Sequence, residues 1–454
     1  MIRCRRMGDD IFLFLSSFLS FDIENFLDIA GQNPFAAMWI IMKSGGWILL
    51  AWFAWWAGTQ GYLEYIQDRF WKKKEWMLMQ ITIPRVSEQT CKAVENMFAT
   101  IAGLHNGPSW TEIWVDGFVQ TTVSLEIASI DGQVSFYIWC ERRFEAMMKS
   151  AIYAQYPDAD IVEAENYAKA IPQTYPDEEW DIWGTELTTV APDAFPIKTY
   201  HDFEDPVSGE FKDPLAGVLE NFSHLGPGEQ AWYQINIKMT DQKDFRKRAE
   251  QEINKIKGVK EKPSESWVGQ LFSFPFNIFS DLLKVAFGYQ LEPAEKPKED
   301  KKDLFPKLAA LSPSEKYTLE ALERKSGRIG FETKIRFIYA GRKEVFKKPR
   351  AVHAFIGAIK QVNDFGMQSL KPESKTCGVS STILWFKEGR NDIRKTRLVK
   401  RYAKRSGDGV SRYFMSVEEL ATLWHFPILL QVKAPQLRRT EAKKTDPPAN
   451  IPFE

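Results

Sequence analysis

Hydrophobic positions along the chain change period several times, and each change marks an element. Residues 47–66, WILLAWFAWWAGTQGYLEYI, are an apolar run in which Glu64 is the only charge. As an α-helix, such a run is long enough to cross a hydrocarbon core of roughly 30 Å. Trp47, Trp52, Trp55, Trp56 and Tyr62 suit the two bilayer interfaces, and Lys72, Lys73 and Lys74 form a basic stop directly afterwards. Such a stop favours the cytoplasmic side. The pattern therefore predicts a transmembrane anchor over 35–74, single-pass in the plasma membrane, with the C-terminal bulk in the cytoplasm. Ahead of it, 1–34 combines Arg3, Arg5 and Arg6 with an apolar run at 11–21, and Asp22, Glu24 and Asp28 follow in place of a cleavage site. This reads as an amphipathic segment.

From Glu75 the period becomes two. A strand over 76–84 ends at Pro84, where the ladder loses a donor. Ser87 caps a helix to about 104 whose apolar face is Ala93, Val94, Met97, Phe98 and Ile101. Strands over 121–130 and 133–140 flank Asp131-Gly132, a hairpin signal. A helix over 141–153 and a strand over 160–164 complete a β-α-β-β-α-β order for 75–165, the ferredoxin-like plan. Residues 166–213 read as an acidic, Pro-rich linker with one strand at 184–190.

A similar order starts again over 214–415. It comprises a helix at 213–225, a strand at 230–239, a helix capped by Thr240 or Asp241, a strand at 330–339, a helix at 345–363 and a closing strand at 379–386. Residues 258–327 are then a helical insertion and 416–454 a Pro-rich connecting tail. The expected fold class is α+β: an N-terminal transmembrane helix followed by two ferredoxin-like units, the second carrying the insertion.

Lys+Arg and Asp+Glu both total 60, so net charge by itself argues for no polyanionic partner. The distribution changes that picture. Acidic residues dominate 158–220, whereas basic residues dominate 324–350 and 387–405. Read as a helix, KEGRNDIRKTRLVKRYAKR (387–405) places Arg394, Arg397, Arg401 and Lys404 on one stripe, with Lys395, Lys400 and Arg405 beside it. Such a stripe suits the phosphates of DNA or of anionic lipid. A solvated helix face, or a partner for the acidic 158–220 region, accounts for the same pattern.

Catalytic signals are missing. Cys4, Cys91, Cys140 and Cys377 form no CxxC pair, so neither a zinc site nor a disulfide framework is expected. His105, His201, His224, His353 and His425 show no ligand spacing, so no metal and no cofactor are expected. The sequence contains neither GxxxxGK[ST] nor GxSxG. The reading is therefore non-enzymatic.

The run PDADIVEAE (157–165) after IYAQY, the strand-and-hairpin block before it, and VEELATLWHFP (417–427) with the following KAPQL and PPANIP resemble a known module. It is the membrane-anchored region that precedes the motor in conjugative, type IV secretion coupling-protein-like ATPases of the FtsK/HerA class. The resemblance extends over most of 47–454. It implies a non-catalytic component that scaffolds or positions a DNA-translocating ATPase. Its partners would be a separate P-loop motor, DNA and membrane lipid, with homo-oligomerisation through the motor. A membrane-bound enzyme with a site in the acidic 153–214 region, or a structural envelope protein, are the competing expectations.

Overall fold

Alternation of apolar and polar residues builds the strands β1 (Trp76–Thr82), β2 (Thr122–Ile130), β3 (Gln133–Glu141), β4 (Asp160–Ala164), β5 (Trp180–Thr189), β6 (Glu229–Lys238), β7 (Gly330–Arg342), β8 (Leu370–Pro372) and β9 (Tyr413–Ser416). The structure, a computed structural model, describes residues 42, 47–84, 89–205, 207, 211–257, 311–373 and 386–427. The helices are α1 (Trp47–Lys72), α2 (Cys91–Ile101), α3 (Glu145–Tyr153), α4 (Ala216–Ser223), α5 (Gln242–Ile256), α6 (Pro313–Ser326), α7 (Lys348–Ile359), α8 (Lys387–Ala403) and α9 (Val417–Leu423). The strands join one antiparallel sheet in the order β4-β1-β3-β2-β6-β7-β5-β8, with β9 extending β7.

The order is internally symmetric. In the first half β1 lies between β3 and β4, and β2 pairs with β3. In the second, β5 lies between β7 and β8, and β6 pairs with β7. The halves fuse through β2 and β6, registered from Thr122 opposite Lys238 to Ile130 opposite Gln230. The expectation of two units separated by an acidic linker is therefore corrected. The class is α+β, but one nine-stranded sheet runs through both halves. Trp180–Thr189, placed in the linker by its Pro-rich and acidic surroundings, is an inner strand. The second half closes with Leu370–Pro372, while all but the last residue of the strand expected at 379–386 lie outside the described residues.

One sheet face carries Val123, Leu125, Ile127, Tyr233, Ile235 and Phe337 and is covered by apolar residues of α2, α4 and α7. Phe337 stacks on Phe355 of α7 with ring centroids 3.8 Å apart. Because side chains alternate along a strand, the other face receives Ser124, Glu126, Glu186, Gln234, Asn236, Lys334 and Arg336, and all are buried. Helix α8 lies on this face: a Cβ on Gly184 would come within 2.6 Å of Leu398 and 2.7 Å of the Phe337 carbonyl oxygen.

The stretch after α8 is also core. Tyr413–Ser416 pairs with the start of β7, and Ser416 and Glu419 form a reciprocal capping box at the start of α9. Trp424 is fully buried, its ring 5.9 Å from Phe136 and 5.0 Å from Phe426. The segment 416–427 thus belongs to the domain rather than to a connecting tail. Its apolar residues outweigh the Pro-rich character of 428–454, which lies outside the described residues, as do 1–34 and 258–310.

Helix α1 and Pro108–Val119 form a compact unit of their own. Tyr62 donates to the Trp114 carbonyl at 3.2 Å, and Phe70 packs on Phe118. Gly117, at φ +70°, brings its backbone so close to Ile66 that a Cβ would meet main-chain atoms at 2.5 Å. Among the described residues no helix is long and apolar enough to cross a membrane. This overturns the transmembrane anchor and, with it, the single-pass plasma-membrane localisation. The physical reason is compositional. Tryptophan and tyrosine are amphipathic rather than strongly apolar, and Gly58, Thr59, Gln60, Gly61 and Glu64 interrupt the aliphatic residues. Trp47, Trp52, Trp55, Trp56 and Tyr62 are exposed along α1. Lys72 pairs with Asp68 four residues earlier, Lys73 donates its backbone N–H to the Phe70 carbonyl, and Lys74 donates to the Val119 carbonyl.

The tight seat of α8 gives a direct test. Gly184→Ala should lower stability by about 1–3 kcal/mol, read from the midpoint of urea denaturation, because the added methyl meets backbone on one side. An unchanged midpoint would contradict the close approach.

Candidate functional site

Helix α8 is strongly amphipathic. Leu398, Val399 and Tyr402 are buried, and the basic residues take the remaining surface. Arg397, Lys400 and Lys404 are exposed, while Arg394 and Arg401 are half-buried. Lys404 is the helix C-cap, where a cation complements the helix dipole. Together with Thr174, Tyr175 and Thr396, residues Arg397, Lys400, Arg401 and Lys404 line a groove of about 630 Å³, whose acidic member is Asp408. Tyr175 is buried, and its hydroxyl makes no hydrogen bond among the described residues. Lys395, on the flank of the stripe, pairs with Asp181 of the acidic region.

Arg405, expected beside the phosphate contacts, is elsewhere. It is buried against Glu126, with Nε to Oε1 and Nη2 to Oε2 both 2.9 Å. The chain reverses after α8, with Arg405 at φ +50°, and this turn drives its side chain into the sheet face. Tyr167 donates to Glu126 at 2.7 Å, Ser124 donates at 2.7 Å and Gln234 at 2.9 Å. Burial pushes the Glu126 carboxyl up, but the Arg405 charge and these hydrogen bonds hold it below the usual carboxylate range. A second pair, Arg336 and Glu186, is equally buried at 2.9 Å. Burial also raises Glu186, and Arg336 together with the Val410 N–H outweighs it. The pairs form a fixed polar layer beneath α8.

Two further clusters were not legible from spacing. His425 donates through Nε2 to Asp213 at 2.9 Å and through Nδ1 to the Ala421 carbonyl at 2.8 Å. Burial disfavours the imidazolium, but neighbouring Cys91 and Asp213 raise its pKa well above the usual histidine value. Burial raises Asp213, and His425 with two backbone N–H groups pulls it below its usual range. All three side chains are buried, so this is a clamp between α9, the turn before α4 and α2. The other cluster is Glu95, His201 and Glu418, whose ligand-type atoms lie within 4.8 Å of one another. These residues could hold a metal ion, although their separation in sequence gave no ligand motif.

The chain belongs to the family described as domain of unknown function (DUF8128), whose model matches residues 72–436. That range holds the whole sheet, the basic groove and both clusters, and it starts where α1 ends. No curated protein matches the chain.

The polar layer and the clamp can each be tested by substitution. Glu126→Gln leaves the Arg405 guanidinium buried without its counter-charge, and should lower stability by about 3–5 kcal/mol, measured by chemical denaturation. Arg397→Gln in the same assay should leave the midpoint unchanged.

For the clamp, His425 has a raised folded pKa, so its stabilisation is fully present below the unfolded value of about 6.5 and is lost as pH rises through the folded value. Asp213 is depressed, so its share is present above about 3.9 and is lost as pH falls through its folded value. The stability difference between wild type and His425→Asn should therefore peak between those limits and shrink on either side. A difference flat from pH 3 to pH 9 would rule out a charged clamp.

Proposed function

We propose that this protein is a non-catalytic α+β binding module that holds a phosphate backbone, most simply that of DNA, along the outward face of α8. In this reading it scaffolds a separate P-loop motor that moves the DNA. The observation that carries it is the groove lined by Arg397, Lys400, Arg401 and Lys404, set on a helix that buried ion pairs hold in place. Phosphate contacts of this kind are electrostatic and blind to sequence. The motor partner rests on the resemblance of 157–165 and 417–427 to the region that precedes the motor in coupling-protein-like ATPases.

The rival reading, a stripe that only neutralises the acidic region, draws support from the Lys395–Asp181 pair. That pair uses the flank of α8 rather than the exposed Arg397, Lys400 and Lys404.

The test is a fluorescence-anisotropy titration of labelled duplex DNA at several salt concentrations. Replacing Arg397, Lys400 and Lys404 together by Gln should weaken binding equally for unrelated sequences. The slope of log K against log salt should become shallower by roughly 0.9 for each phosphate that is no longer neutralised, with the melting temperature unchanged. Wild-type protein that does not bind DNA, or a triple variant that binds as well as wild type, would refute the reading.

A further inference from the structure

Glu95 on α2, His201 in the turn Tyr200–Phe203 and Glu418 on α9 belong to three separate elements. One ligand atom from each nevertheless lies within 4.8 Å of the other two. Adjacent oxygen and nitrogen ligands at roughly 2.0–2.2 Å from one ion stand about 3–3.6 Å from each other, so the three side chains close around a cation by drawing together by up to about 1–2 Å. Both carboxylates are buried, Glu95 at 5% and Glu418 at 3% exposure. His201 is exposed, which leaves the cluster reachable from solvent.

The elements are fixed relative to one another without any ion. The Tyr200 N–H donates to Thr422 Oγ1 at 2.8 Å and the Ile197 N–H to Glu419 Oε1 at 3.0 Å. These two bonds tie the His201 turn to α9. The Tyr200 hydroxyl donates to Glu95 Oε2 at 2.7 Å, the kind of outer partner that orients a ligating carboxylate.

One oxygen of the cluster is held, among the described residues, through an ion pair alone. Among the described residues, Glu418 Oε1 is buried and accepts no hydrogen bond, although Arg328 Nη2 stands 2.7 Å away. Its charge is balanced, yet no described donor is aligned with it. Glu95 Oε1 is met by Lys92 at 2.9 Å. Lys92 and Arg328 are about half exposed, at 52% and 43%, so both can swing into solvent when a cation takes their place.

We infer that Glu95, His201 and Glu418 form a binding site for a divalent first-row transition ion of the Zn²⁺ or Mn²⁺ type. One imidazole with two carboxylates suits such ions better than the all-oxygen sets of Ca²⁺ and Mg²⁺. The bound ion cross-links α2, the 200–203 turn and α9. The site goes beyond the phosphate-binding role, shares no residue with the α8 groove, and stands or falls independently of it.

The test uses the full chain, stripped with a chelator, dialysed and titrated with Zn²⁺ and separately with Mn²⁺ by isothermal calorimetry. At least one of the two ions should bind once per chain, and the same ion should raise the melting temperature. Because His201 is exposed, His201→Ala leaves the fold in place, and it should weaken that binding at least about tenfold, the lower end of the loss seen for outer-shell partners alone. It should also abolish the melting shift. No binding of either ion to wild type, or binding of equal affinity in His201→Ala, overturns the site.

Discussion

Two charged pairs buried on the polar face of the sheet, Glu126–Arg405 and Glu186–Arg336, are the constraint from which the rest of the architecture follows. Removing four charges from water is expensive, and only complete hydrogen bonding offsets it. Arg336 achieves this with all five of its N–H groups. Nε bonds Glu186, Nη1 bonds Gln234 and the Arg401 carbonyl, and Nη2 bonds the carbonyls of Ser406 and Asp408. Three of those acceptors belong to the end of α8 and the loop after it. The side chain that neutralises the sheet therefore also fixes the helix.

That anchoring decides what α8 presents. With Leu398, Val399 and Tyr402 held against the sheet, Arg397, Lys400 and Lys404 can only face outward. Tyr402 joins the layer directly, its hydroxyl 2.8 Å from that of Tyr167. In the proposed role, a groove built on an anchored helix would meet a phosphate backbone without first having to be ordered, which would reduce the entropy lost on binding. The fusion of two halves through β2 and β6 contributes as well. It puts Glu126 and Gln234 on adjacent strands and makes the centre of the sheet wide enough for both ion pairs.

Helix α9 plays the corresponding part on the apolar face. Its Trp424 enters the core of the first half, its Glu419 accepts from the buried Lys325 of α6, and the following His425 grips Asp213. One short helix therefore joins elements from both halves. The Glu95, His201 and Glu418 cluster lies where these connections converge.

Much of the local structure can be read in the sequence because its causes lie within a few residues. Asp131-Gly132 makes the β2–β3 turn with φ of 52° and 83°. Asp241 caps α5 by accepting from the Lys243 N–H, and the basic stripe is helical because its apolar positions recur at helical spacing. The strands appear close to where alternation puts them. The aromatic run at 47–66 misleads, since tryptophan-rich sequence resembles a membrane span by composition while its summed hydropathy falls short. Partner choice is beyond local reading altogether. In sequence Arg405 looks like one more cation of the stripe, and only the reversal after α8 brings it to Glu126, 279 residues away in the chain. The same holds for His201, isolated in sequence and placed between two glutamates by the packing of α9 on α2. Period and capping are properties of neighbours along the chain, whereas the fate of a charge depends on which distant group the fold brings within hydrogen-bond reach.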